Sequence, residues 1–122
     1  MGAELPFNLS LLDQTPLQIW RSGTLTLSVD DSNNVSGSIS LPDYYQNPIP
    51  FRGTAANSFG QTGMLVGAEG SSSEAEVNLA FICRVDGFLT NGTFLGGMAT
   101  ILDFQAQETY LYVMQGYMSG PA

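Results

Sequence analysis

The chain has 122 residues, 43% of them hydrophobic and only 11% charged, with a net charge of −8. That is enough for one domain with one core, and too apolar for disorder. The three cations are all arginine and histidine is absent, which excludes a nucleic-acid surface of clustered cations, Schiff-base chemistry on lysine and histidine-based catalysis.

The single cysteine, Cys83, cannot close an internal disulfide, and its place on an apolar strand face predicts a buried thiol. No stretch approaches the ~18 apolar residues of a spanning helix. Residues 1–6 lack the basic and apolar regions of a signal peptide. No membrane insertion is expected. Ser, Thr, Asn and Gln supply the polarity in place of charge, a composition that leans to secreted or extracellular β proteins.

Taken in order, Phe7, Leu9 and Leu11 alternate with Asn8 and Ser10, predicting a short first strand or an extended arm over residues 1–16. Residues 13–16 read as a turn, and the only tryptophan, Trp20, precedes the first clear hairpin. That hairpin joins residues 24–30 to 35–41. Leu25, Leu27, Val29, Val35, Ile39 and Leu41 point inward, and Ser and Thr point outward. Its loop, Asp30 to Asn34, has oxygen ligands at calcium-like spacing but lacks the glycine and the closing glutamate of such a site, so no metal is assigned.

Residues 42–50 form a proline-rich loop carrying Tyr44 and Tyr45. Residues 49–55 and 61–68 are short strands, with Gly60, Gly63 and Gly67 marking bends or close approaches, and residues 70–73 read as a flexible polar loop. Three strands follow, at 75–85, 92–103 and 108–118. Asp86-Gly87 and Asn91-Gly92 punctuate the turns, and Gly96-Gly97 suggests a bulge or a barrel corner. Residues 119–122 are a frayed tail of the single domain, 1–122.

Seven or eight strands with short turns predict an all-β antiparallel meander closed as a small β-barrel, with a β-sandwich as the alternative. The strand at 75–85 is one-sided. The last two are apolar on both faces: Phe94, Met98 and Leu102 oppose Leu95, Ala99 and Ile101, while Tyr110, Tyr112 and Met114 oppose Leu111, Val113 and Tyr117. A second apolar face needs a second cover, so a homo-oligomer built through these two strands is expected.

Aromatics near strand ends and in loops, with arginines among them, mark the candidate ligand-binding set: Trp20, Arg21, Tyr44, Tyr45, Arg52 and Tyr117. Phe51 and Phe88 belong to the same aromatic group. No catalytic residue and no cofactor is assigned. The carboxylates Glu74, Glu76, Asp86, Asp103 and Glu108 fall at strand ends, where solubilising charge is usual.

The leading expectation is a non-enzymatic binding or structural barrel that self-associates and holds a small neutral or apolar ligand, or a glycan, at its mouth. The alternatives are a histidine-independent barrel enzyme of isomerase, cyclase or hydrolase type, using Tyr and carboxylates, and a structural subunit of a larger assembly. Residues 23–39, with Gly-x-Leu-x-Leu followed by Val-Ser-Gly-Ser-Ile, are similar to the first hairpin of avidins and other calycins. The resemblance implies a barrel. It implies nothing about ligand, since the avidin biotin site uses several tryptophans and Trp20 stands alone here.

Overall fold

In the computed structural model, which describes residues 3–14, 17–57, 63–89 and 92–119, eight strands form a closed antiparallel barrel. They are β1 (Ala3–Gln14), β2 (Leu17–Val29), β3 (Asn34–Ser40), β4 (Ile49–Asn57), β5 (Gly63–Ser72), β6 (Val77–Leu89), β7 (Gly92–Asp103) and β8 (Glu108–Ser119). Each strand pairs with the next in sequence, and β1 returns to β8 from Asn8↔Tyr117 to Leu12↔Val113. Closure satisfies the sheet edges that a sandwich would leave open.

The strands run longer than local patterning indicates. The N-terminal segment is a full barrel strand, not an arm, because β2 and β8 flank it on both sides. β2 begins at Leu17, so Trp20 lies within it. Gly70, Ser71 and Ser72 are paired in β5 opposite Leu79, Asn78 and Val77; the turn falls at residues 73–76, and β6 starts at Val77 instead of Ala75. Asp86-Gly87 lies inside β6, where the β7 register slips between Asp86 and Leu89. That glycine serves an irregularity, not a turn. Gly60, Asn91 and the tail beyond Ser119 lie outside the described residues.

Gly96-Gly97 holds unbroken register with β6 and β8, so it is no bulge. A Cβ on Gly97 would stand 2.0 Å from the Ile82 carbonyl oxygen, so close approach of β6 is what the position requires. The bulge in the first hairpin sits elsewhere: Leu11 pairs with Arg21 but Leu12 with Ile19, which skips Trp20. This explains the broken alternation at Leu12, which is buried beside Val113 and outside the central cluster.

The interior is packed with side chains. Phe7, Leu9, Leu25, Leu27, Ile49, Phe51, Val66, Phe81, Tyr112 and Met114 are all buried in one cluster. Eight strands leave room only if bulky residues face small ones. The registers provide this: Phe51 lies between Gly37 and Gly70, and Phe81 between Ala68 and Ala99, with Tyr112 next to Ala99. The Phe51 and Phe81 rings meet edge to face at 4.9 Å and 89°. Cys83 is buried in this core, and burial pushes its thiol pKa up to about 12.

The outside is divided. Over β2 and β3 it carries Thr24, Thr26, Ser36, Ser38 and Ser40, mostly polar. Over β5 to β8 it carries large apolar side chains, among them Leu65, Ile82, Met98 and Leu111. No helix among the described residues is long and apolar enough to cross a membrane.

Candidate functional site

The inward alternation of β2 runs from Leu27 and Leu25 through Gly23 to Arg21, and so carries a guanidinium to one end of the barrel. Glycine is needed one step below it. A Cβ on Gly23 would stand 2.0 Å from the Ser40 carbonyl oxygen and 2.9 Å from the Leu41 side chain. The same end receives the loop between β3 and β4 and the turns at residues 73–76 and 104–107, since successive strands of a meander alternate in direction.

The β3–β4 loop folds back over this end. The amides of Tyr44 and Tyr45 both donate to the Leu41 carbonyl at 2.9 Å, and Tyr45 is buried against the core. The Arg21 guanidinium carbon lies 3.6 Å from the Tyr44 ring centre, 5.7 Å from that of Tyr45 and 5.4 Å from that of Tyr110. Its Nη1 donates to the Tyr45 hydroxyl at 3.4 Å. That hydroxyl donates to Asp103 Oδ2 at 3.1 Å, and Asp103 Oδ1 accepts the Ala106 amide at 3.0 Å. The Tyr110 hydroxyl donates to Glu108. Ring faces carry negative potential, so a buried cation among three tyrosines is favoured there.

Burial raises the Tyr45 pKa above its ordinary value, opposed by the bond from Arg21 and reinforced by the Asp103 charge. The Tyr110 pKa is raised first by its bond to Glu108 and then by burial. Both phenols stay protonated at neutral pH and act as donors.

Beside this cluster lies a cleft of 460 Å³ between the β3–β4 loop and the turns at 73–76 and 104–107. Tyr44, Gln46, Asn47, Glu74, Asp103 and Gln105 line it. Three bonds frame it: Asn47 Nδ2 to Glu74 Oε1 at 2.7 Å, Tyr45 to Asp103, and the Phe104 amide to the Glu76 carbonyl at 2.9 Å.

Of the six expected binding residues, the structure brings together Arg21, Tyr44 and Tyr45. Arg52 lies on the outer face of β4, in register with Glu69 and Ser36. Tyr117 is on the outer face of β8 opposite Phe94, towards the other end. The Trp20 and Phe88 side chains lie outside the described residues. Phe51 is core, not rim, because its odd position on β4 points inward. Tyr110, Asn47 and Gln105 were not singled out as binding residues. Counting strand direction in a meander would have placed the start of β8 and the β3–β4 loop at one end, and so found Tyr110. The carboxylates divide likewise: Glu74, Glu76, Asp103 and Glu108 ring this end, and Asp86 pairs with Arg84 at 2.9 Å near the other.

The calcium-like loop is a hairpin turn. Asp30 Oδ1 accepts the Ser32 and Asn34 amides at 2.8 and 2.9 Å, which lowers its pKa. Among the described residues no group of three metal-ligating side chains converges.

A second concave feature, of 1290 Å³, runs across the outer face from β3 to β8. Small residues form its floor: Ser36, Thr54, Gly67 and Ala80. A Cβ on Gly67 would meet nothing within 4 Å, so that glycine marks open surface and not a close approach. Ile82, Met98 and Leu111 stand beside the floor, 63%, 40% and 56% exposed. Ile82 and Met98 are in direct register.

Comparison with protein-family models, with curated proteins and with solved structures gave no match.

Proposed function

We propose that this chain is a non-enzymatic, structural or binding β-barrel that self-associates, with a second copy covering the outer face of β6 to β8. One observation carries the reading: Ile82, Phe94, Met98, Leu111 and Tyr117 stand exposed on adjacent strands of a barrel whose core is already complete. Patches of this kind on a folded chain mark interaction surfaces. Fully burying one such side chain is worth ~1.5–3 kcal/mol.

Charge favours a second copy as the occupant. The chain is at −8, so two copies repel wherever acidic surfaces meet. This face is balanced instead: its Arg84 pairs with Asp86, and on the adjoining strands β4 and β5 Arg52 stands opposite Glu69. Shape agrees, since a ridge of Ile82, Met98 and Leu111 lies beside a floor of small residues, and a two-fold axis would set each ridge into the other copy's groove. Because the barrel is closed, with no strand left wholly at a sheet edge, its exposed outer face is the surface favoured for association.

Light scattering after size exclusion tests this. The wild-type chain is expected as a dimer or higher oligomer at micromolar concentration, and the Ile82→Ser/Met98→Ser variant as a folded monomer. A wild-type chain that stays monomeric at high concentration refutes the proposal.

A further inference from the structure

We infer that the 460 Å³ cleft at the loop end binds a neutral sugar unit. Its size lies within the range of roughly 300–1,000 Å³ typical of small-molecule sites. The inference is independent of self-association, which uses a different surface.

The lining decides the ligand class. Gln46, Asn47 and Gln105 supply amides that both donate and accept; Glu74 and Asp103 supply acceptors. A polyhydroxylated ring presents donors and acceptors in that mixture around its edge, and a patch of C–H groups on its face. Tyr44 meets the second requirement. Its ring lines the cleft, is 49% exposed, and is fixed by the Arg21 guanidinium 3.6 Å away. An aromatic ring locked in place loses little entropy when a ligand stacks on it. Of the amides, Asn47 is held in position by its bond to Glu74, and the other two bonds tie together the loop and turns that carry the rest.

Other ligand classes fit less well. An apolar molecule would strip water from amides and carboxylates without replacing their hydrogen bonds. An anion would meet Glu74 and Asp103. A metal ion would have to displace Asn47 from Glu74 and both Tyr45 and the Ala106 amide from Asp103. The place between the tyrosine rings where an organic cation would sit is taken by Arg21.

Saturation-transfer-difference NMR on the whole chain tests the inference, with methyl β-glucoside, methyl β-galactoside, methyl α-mannoside and N-acetylglucosamine at millimolar concentration, and glucuronate as the anionic probe. Saturation is expected to reach the ring C–H protons of at least one neutral sugar, with glucuronate weaker. Tyr44→Ala and Gln105→Ala, checked for fold by circular dichroism, are each expected to weaken binding about tenfold. Gln105 is an exposed turn residue, so its variant keeps the test open if Tyr44→Ala disturbs the loop. Absence of transfer to every neutral sugar overturns the inference, as does a preference for glucuronate or binding unchanged in a folded variant.

Discussion

Phe51→Ala would open a hole that the barrel cannot close. Phe51 is 4% exposed, its ring meets Phe81 at 4.9 Å, and its neighbours in register are Gly37 and Gly70. Neither glycine has a side chain to swing into the space. Phenylalanine-to-alanine changes in cores cost ~3–5 kcal/mol, with less loss where the site collapses. The aromatic pair itself contributes about 0.5–1.5 kcal/mol beyond burial. We therefore expect a loss of about 4 kcal/mol, a large part of the ~5–15 kcal/mol that holds a domain together. Urea unfolding followed by circular dichroism measures it.

A second substitution sharpens the test. Gly37→Ala would seem to refill the hole, since its Cβ would lie 2.9 Å from Phe51 Cζ, but it would also lie 1.9 Å from the Thr26 carbonyl oxygen. Removing the ring relieves the first clash and leaves the second, which is with backbone. The double variant is thus expected to be less stable than Phe51→Ala alone, by about 1–3 kcal/mol. A double variant more stable than the single, or a single loss below ~2 kcal/mol, would show that the barrel wall yields where the registers say it is fixed.

Three further outcomes follow from the same geometry. Tyr45→Phe removes the phenol between Arg21 and Asp103 and should lower stability by about 1–2 kcal/mol. Because burial raises the Tyr45 pKa above 10.0, its contribution is whole below pH 10 and is lost as pH rises through the folded value; the alkaline loss should be shallower in the variant, with Tyr110 supplying part of what remains. Cys83, raised to about 12 by burial, should resist iodoacetamide at pH 8 in the native chain and react once urea unfolds it; rapid native labelling would contradict its place in the core. Gln107 has φ of 55°, so Gln107→Gly should raise the thermal midpoint by roughly 2–3 °C, whereas Asn33→Gly, at φ 64°, should gain less because asparagine tolerates that region. Equal gains at both positions would argue against the strain assigned to Gln107.

Much of the fold was legible locally. The hairpin through Thr24↔Ser40 and Val29↔Val35 follows from alternation alone, because a half-buried strand has a period of two. The boundaries of β7 and the start of β8 match the apolar runs. Legibility failed where polar residues are paired in strands. Gly70 to Ser72 look like a loop, yet they complete β5 because β6 pairs with all three and β4 reaches Gly70. It failed too at the bulge that skips Trp20 and lets both Leu11 and Leu12 be buried.

The sequence by itself determined the class: an all-β chain with one-sided early strands, two-faced late strands and too few cations for several chemistries. Those properties are local, set by side-chain alternation and composition. Only the tertiary structure decided which residues meet. Arg21, Tyr44, Tyr45, Tyr110 and Asp103 converge because a closed meander returns loops distant in sequence to one rim. Arg52 and Tyr117, of the same residue types, stay apart because the parity of β4 and β8 turns them outward. Parity within a strand is readable along the chain; closure, which sets strand against distant strand, is a property of the whole barrel.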